Sequence, residues 1–241
     1  MVSEIYSGLG LEEELDCVVH SSPRATVVWT RDDIVLDNGM ENIAMRQESN
    51  RHFLSVSLES QEMFGTYKCQ ANNELGSAHS SVLVTGLPTA PSFTSAGVSL
   101  YTDTYTLAWT SKSKAEITSF RVQYREARGG EWREVEVEPR QASIDSQGGG
   151  TWEGATRLSH LSSATQYEAR VLPRNFFGYT QPQQVFNFAT KGAGNSHMTH
   201  TSLASLVLSS VPYHQPSTSA SPGISLNLGL SLVIYSLFLV R

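Results

Sequence analysis

Cys17 and Cys69 are the only thiols in 241 residues, so what two thiols can do bounds the chemistry of the chain. Two cannot build a four-thiolate zinc site, and one pair in a chain of this length suggests a single covalent staple and an oxidising compartment. The other chemistry-bearing residue types are scattered. His197 and His200 in "HMTH" have no third ligand nearby and read as solvated residues. Glu12, Glu13 and Glu14 are consecutive; on a strand they point to alternate faces and do not converge on calcium, which leaves a solvated edge. Gly148 to Gly150 are not followed by Gly-Lys-Ser/Thr, so a phosphate cradle is not expected. Residues 141–154, "QASIDSQGGGTWEG", read as a long glycine-rich loop. It holds one aspartate and one glutamate but no histidine or cysteine, too little for a nucleophile, a base and an orienting group. No enzyme activity, cofactor, metal or small-molecule substrate is expected. The formal charge of −6, without a basic stripe, argues against nucleic acid.

Residues that could do so little by themselves shift attention to the elements that carry them. The length allows one large domain or two smaller ones. Period-two alternation dominates. "ELDCVVH" aligns Leu15, Cys17 and Val19; "TVVWTR" aligns Val27 and Trp29; "FLSVSLE" aligns Leu54, Val56 and Leu58; "TYKCQA" aligns Tyr67, Cys69 and Ala71. "TGLPTAP" at 85–91 places two prolines within a short, stiff linker. A second series follows: Tyr105, Leu107 and Trp109; Phe120, Val122 and Tyr124; Tyr167, Ala169 and Val171, with a hairpin turn at Gly129 and Gly130. Trp29 and Trp109, at alternating positions of central strands, read as core. Thr30, Lys68, Gln70 and Asn72 lie on the opposite face of the first series and form a candidate protein-binding face.

The order Cys17, Trp29, then Tyr67-x-Cys69 resembles the immunoglobulin fold over residues 1–86. That resemblance implies a Cys17–Cys69 disulfide between two sheets, a tryptophan packed on it and a tyrosine corner. Relatives carry an acidic residue where this chain has Met63, so their arginine pairing is not expected here. Residues 87–190 resemble a fibronectin type III domain, through Trp109, Tyr124, the Leu161…Tyr167 corner and "RNFFG" at 174–178. The expected fold class is therefore all-β, two tandem antiparallel sandwiches followed by a flexible stalk and a hydrophobic carboxyl-terminal segment. The immunoglobulin and fibronectin pairing resembles cell-surface adhesion proteins, close to the invertebrate Klingon and lachesin-like neuronal molecules; "GLGLEEELDCVVH" and "NRHFLSV" carry much of that likeness. It implies adhesion or recognition of other cell-surface proteins, homophilic or heterophilic. The ectodomain of a single-pass signalling receptor is the second reading.

Residues 191–223 are rich in Ser, Thr, Gly and His and read as the stalk; residues 224–241 are the hydrophobic tail. As a helix, Ile224 to Val240 falls slightly short of the hydrocarbon core, and Arg241 alone follows it. A cleaved glycosylphosphatidylinositol signal fits this layout better than a transmembrane helix. Asn195 and Ser217 are the candidate attachment residues, neither at an ideal spacing. The expected location is the extracellular face of the cell membrane. "MVSEIYSGLG" has no apolar export signal, so the chain reads as a fragment or a truncated gene model. No N-x-[ST] acceptor occurs, and N-linked glycans are not expected on the two sandwiches.

Overall fold

The computed structural model describes residues 3–182, 184–192 and 233–235. Most of the stalk and of the tail, with His197, His200, Asn195 and Ser217, lies outside the described residues.

The first sandwich is built from β1 (Ser3–Tyr6), β2 (Glu12–His20), β3 (Thr26–Arg31), β4 (Ile34–Val35), β5 (Ile43–Glu48), β6 (Arg51–Ser57), β7 (Gly65–Asn73) and β8 (Gly76–Thr85). One sheet runs β1-β8-β7-β3-β4, with β1 parallel to β8 and the other pairs antiparallel; the facing sheet runs β2-β6-β5. Alternation decides which side chains go inside. Leu15, Cys17, Leu54, Val56, Tyr67, Cys69 and Val82 are completely buried and meet between the sheets.

The second sandwich comprises β9 (Ser92–Phe93), β10 (Tyr105–Ser113), β11 (Ser119–Glu126), β12 (Arg133–Val137), β13 (Arg140–Ile144), β14 (Gly150–Leu158), β15 (Gln166–Asn175), β16 (Gly178–Tyr179) and β17 (Phe186–Ala189). Its sheets run β13-β14-β10-β9 and β12-β11-β15-β16, with β17 also on β15. The core needs no disulfide. Trp109 packs edge-on against Phe120, centroids 5.4 Å apart, and Tyr105, Phe188 and Tyr167 stack in succession. Gly154 makes room for the tryptophan: a Cβ there would lie 2.5 Å from Trp109 Cζ2.

The expected loop at 141–154 is instead most of a β-hairpin. β13 and β14 pair through Arg140↔Glu153 and Ile144↔Gly150, so the turn is only 145–149. Its glycines misdirect the sequence reading: Gly148 supplies the positive φ of the turn, and Gly150 is the first strand residue. The Asp145 side chain closes that turn by accepting from the Gln147 and Gly149 amides, each at 2.9 Å.

Within the expected tail, Val233–Tyr235 forms β18, antiparallel to Val18, Val19 and His20 on the outer edge of β2. Among the described residues no helix is long and apolar enough to cross a membrane.

The linker is short and pinned from both sides. Asn175 Nδ2 donates to the Gly86 carbonyl at 2.7 Å, and Thr180 Oγ1 donates to the Pro88 carbonyl at 2.6 Å. Phe64 of the first sandwich meets Phe177 of the second edge-on, centroids 4.7 Å apart. All four polar atoms are buried, so the prolines' loss of ladder donors is answered by side-chain bonds.

Candidate functional site

The two thiols meet. Cys17 on β2 and Cys69 on β7 form a disulfide across the sandwich, Cα atoms 6.4 Å apart, and Trp29 pairs in register with Cys69 on the neighbouring strand. The Tyr67 hydroxyl donates to the Met63 carbonyl at 2.5 Å, closing a tyrosine corner, and burial pushes its pKa up. Met63 takes the place of the acid expected there, yet an arginine still arrives: Arg31 Nη1 lies 3.2 Å from the Met63 sulfur. In the second sandwich the Tyr167 hydroxyl accepts from the Ser162 amide at 2.7 Å, beside Leu161, while Tyr124 packs at the edge of the core.

Outward from this frame lies the candidate face. The antiparallel register lays Thr26, Asn72 and Ser77 in one row, Val28, Gln70 and His79 in the next, and Thr30, Lys68, Ser81 and Val35 in a third. Lys68, Gln70 and Asn72 are half-buried. Thr30 departs from the expectation of an exposed contact: it is 8% exposed, because Lys68 and Val35 flank it on both sides. The strand β8, "GSAHSSVLVT", has no charged residue, and Lys68 is the one charge in the three rows. Lys68 Nζ is taken by Asp33 at 2.7 Å, and this hydrogen bond holds the Asp33 carboxyl below the usual carboxylate range. Beside the face, the edge strand β4 exposes Ile34 and Val35 at 59% and 58%. The face therefore combines uncharged polar groups with an apolar margin, a composition in which binding leaves few charges to desolvate.

Two further arrangements escape the sequence reading. On the outer face of β11 and β15, the Trp132 ring lies between Arg125 and Arg170, whose guanidinium carbons are 4.5 and 4.3 Å from its centroid. The Tyr179 ring lies between Arg121 and Arg174 at 4.3 and 5.2 Å. The repeated Arg-x-x-x-Arg spacing at 121/125 and 170/174 was the available signal, since on a strand it keeps both arginines on one face. The second arrangement is an open cleft of about 330 Å³ between the sandwiches, lined by Tyr6, Lys112, Lys114, Ile144 and Asp145 among others but by no histidine or cysteine. Lys114 is held there by Asp145 and Gln147 at 3.1 and 2.8 Å. Burial, with the Glu4 carboxylate accepting from its hydroxyl, pushes Tyr6 up to about 12. Among the described residues no group of three His, Cys, Asp or Glu side chains is placed to hold a metal ion.

Residues 3–85 match the immunoglobulin I-set domain model. Over 191 residues, 78% of this chain, it is 24% identical to neural cell adhesion molecule 1 of Gallus gallus, covering 17% of that protein. The Homo sapiens neural cell adhesion molecule 1 is 22% identical over the same length, with 21% of it covered. Lachesin of Drosophila melanogaster is 31% identical over 78 residues, 31% of this chain and 22% of lachesin. The first sandwich is an immunoglobulin I-set domain, and the chain resembles immunoglobulin-type cell adhesion molecules while spanning about a fifth of their length.

Proposed function

We propose that this chain is an adhesion or recognition protein of the cell surface, binding other cell-surface proteins through the uncharged face of β3, β7 and β8. The observation that carries the reading is that face itself: a continuous sheet surface almost free of charge, on a domain rich in acids, with two exposed aliphatic side chains at its margin. Full exposure to water gives no reason to keep such a surface uncharged, whereas the centre of a protein interface does.

The remaining assignments complete this reading. Residues 1–86 form the immunoglobulin domain and 87–190 a fibronectin type III domain, which the cysteine-free core and the Tyr167 corner support. Residues 191–223 are a stalk, and 224–241 are the hydrophobic signal exchanged for a glycosylphosphatidylinositol anchor at the outer leaflet, with a nervous-system setting suggested by the relatives' names. The disulfide fits an oxidising extracellular location.

The test is binding by cells displaying the full chain. Val28→Arg and Gln70→Glu place charge at the centre of the face and are expected to lower binding to surface proteins at least tenfold, with the disulfide and the melting curve unchanged. Binding that ignores both changes would overturn the assignment of the face. Release of the protein by a phosphatidylinositol-specific phospholipase tests the tether.

A further inference from the structure

Charge is divided unevenly along the chain. Residues 1–86 hold thirteen Asp and Glu against five Lys and Arg, whereas residues 87–192 hold ten against eleven. Four of those acids lie at the β4 margin of the first sandwich, and four of those bases lie together on the outer face of β11 and β15.

The basic surface is the arginine face of the second sandwich. Arg125 is neutralised by Glu168 at 2.9 Å, and Arg121 by Glu134 and Glu136 at 3.1 and 3.0 Å. Arg170 and Arg174 make no ion pair among the described residues; Arg170 donates instead to the Gln123 side-chain oxygen at 2.6 Å. Stacking on Trp132 and Tyr179 holds both guanidiniums in place, so a carboxylate arriving at their forks costs little further side-chain ordering. The acidic surface is the margin of β4. Asp32, Asp33, Asp37 and Glu41 are all exposed around Ile34 and Val35, and Asp37 and Glu41 make no ion pair among the described residues.

We propose that two copies of this chain pair through these surfaces, the Arg170/Arg174 face of one receiving the acidic β4 margin of the other. The inference rests on the recognition reading above and names its partner. A second copy is favoured because both halves of the contact are present on one chain: an antiparallel pair related by a two-fold axis forms the same contact twice and closes on itself. The apolar Ile34 and Val35, between the carboxylates, supply burial that charge alone does not.

Mixed clustering of cells that display the full chain tests this, with wild type and charge-reversed variants carrying different dyes. Wild-type cells are expected to cluster, and to disperse as salt rises. Cells with Arg170→Glu and Arg174→Glu should fail to cluster among themselves, as should cells with Asp37→Arg and Glu41→Arg. Mixed together, the two variants are expected to cluster again, because every reversed face then meets a reversed margin and every native face a native margin. Surface level and melting temperature, compared with wild type, exclude misfolding as the reason for loss, and Arg170→Gln with Arg174→Gln gives a milder loss by removing charge without reversing it. Variants that are folded and displayed but stay apart in the mixture overturn the proposal. Loss of wild-type clustering on enzymatic removal of sulfated glycans does so as well, making the arginines a glycan site. Wild-type cells that bind other cells but not each other overturn self-pairing and leave the recognition reading standing.

Discussion

The Phe177 ring occupies the space beside Gly86 that any side chain would need: a Cβ on that glycine would fall 2.3 Å from Phe177 Cε2. The residue that ends the first sandwich is thus fitted to an aromatic of the second, with the Asn175 amide fastening its carbonyl.

Gly86→Val is expected to displace Phe177, break its edge-on contact with Phe64 and let the two sandwiches change angle. Small-angle scattering should show a broader range of intramolecular distances for this variant than for wild type. Asn175→Ala should act in the same direction through the unsatisfied Gly86 carbonyl, a loss of about 1–3 kcal/mol for a buried group. Identical scattering from all three proteins would show that the joint does not fix the angle.

Removing the staple should unfold the first sandwich selectively. Closing a 52-residue separation by a disulfide contributes about 4 kcal/mol on the chain-entropy model, a large part of a small domain's net stability. Cys17→Ser with Cys69→Ser is expected to move one denaturation transition to much lower denaturant and leave a second, from the cysteine-free core, where it was. Fluorescence cannot assign the transitions alone, since both cores hold tryptophan; hydrogen exchange at Leu54 and Val122 separates them.

Acidification should weaken the first sandwich before carboxylates begin to titrate. Burial lowers the pKa of His52 below its ordinary value of 6.5, and nearby Arg24 lowers it further. In the unfolded chain His52 takes up its proton near pH 6.5; in the folded chain it does so only at lower pH. The unfolded state therefore binds more protons across that interval, and stability falls as pH falls. Above pH 6.5 both states are neutral there and the contribution is fully present. His52→Gln is expected to flatten the decline between pH 7 and 5, read as the midpoint of urea unfolding at each pH.

Much of the fold was legible because alternation is a burial pattern before it is a structure. Cys17, Trp29, Tyr67 and Cys69 are all inside, as are Trp109 and Tyr167, since a strand with one wet face leaves them no other place. The 141–154 segment misled because glycine marks both turns and close backbone approach. Only Gly148 there serves the turn with a positive φ, while Gly154 lies in β14 beneath Trp109. Thr30 misled for a different reason: the strand period gives the side of the sheet, but the crowding by Lys68 and Val35 depends on which strands lie alongside. The Trp132 and Tyr179 stacks depend on pairing across the sheet as well, and the Arg31 contact with Met63 spans 32 positions that no local pattern connects.

The pairing of β1 with β8 has a mechanical meaning for any molecule pulled along its length. Ser3 to Tyr6 run parallel to Val82 to Thr85, so the chain enters at one end of this ladder and leaves at the other. A pull along the molecule drags the two strands past each other and stretches all four rungs at once, instead of peeling them one by one. Load applied between the two ends of the domain would meet its resistance there, before it reached the sulfur bridge behind it.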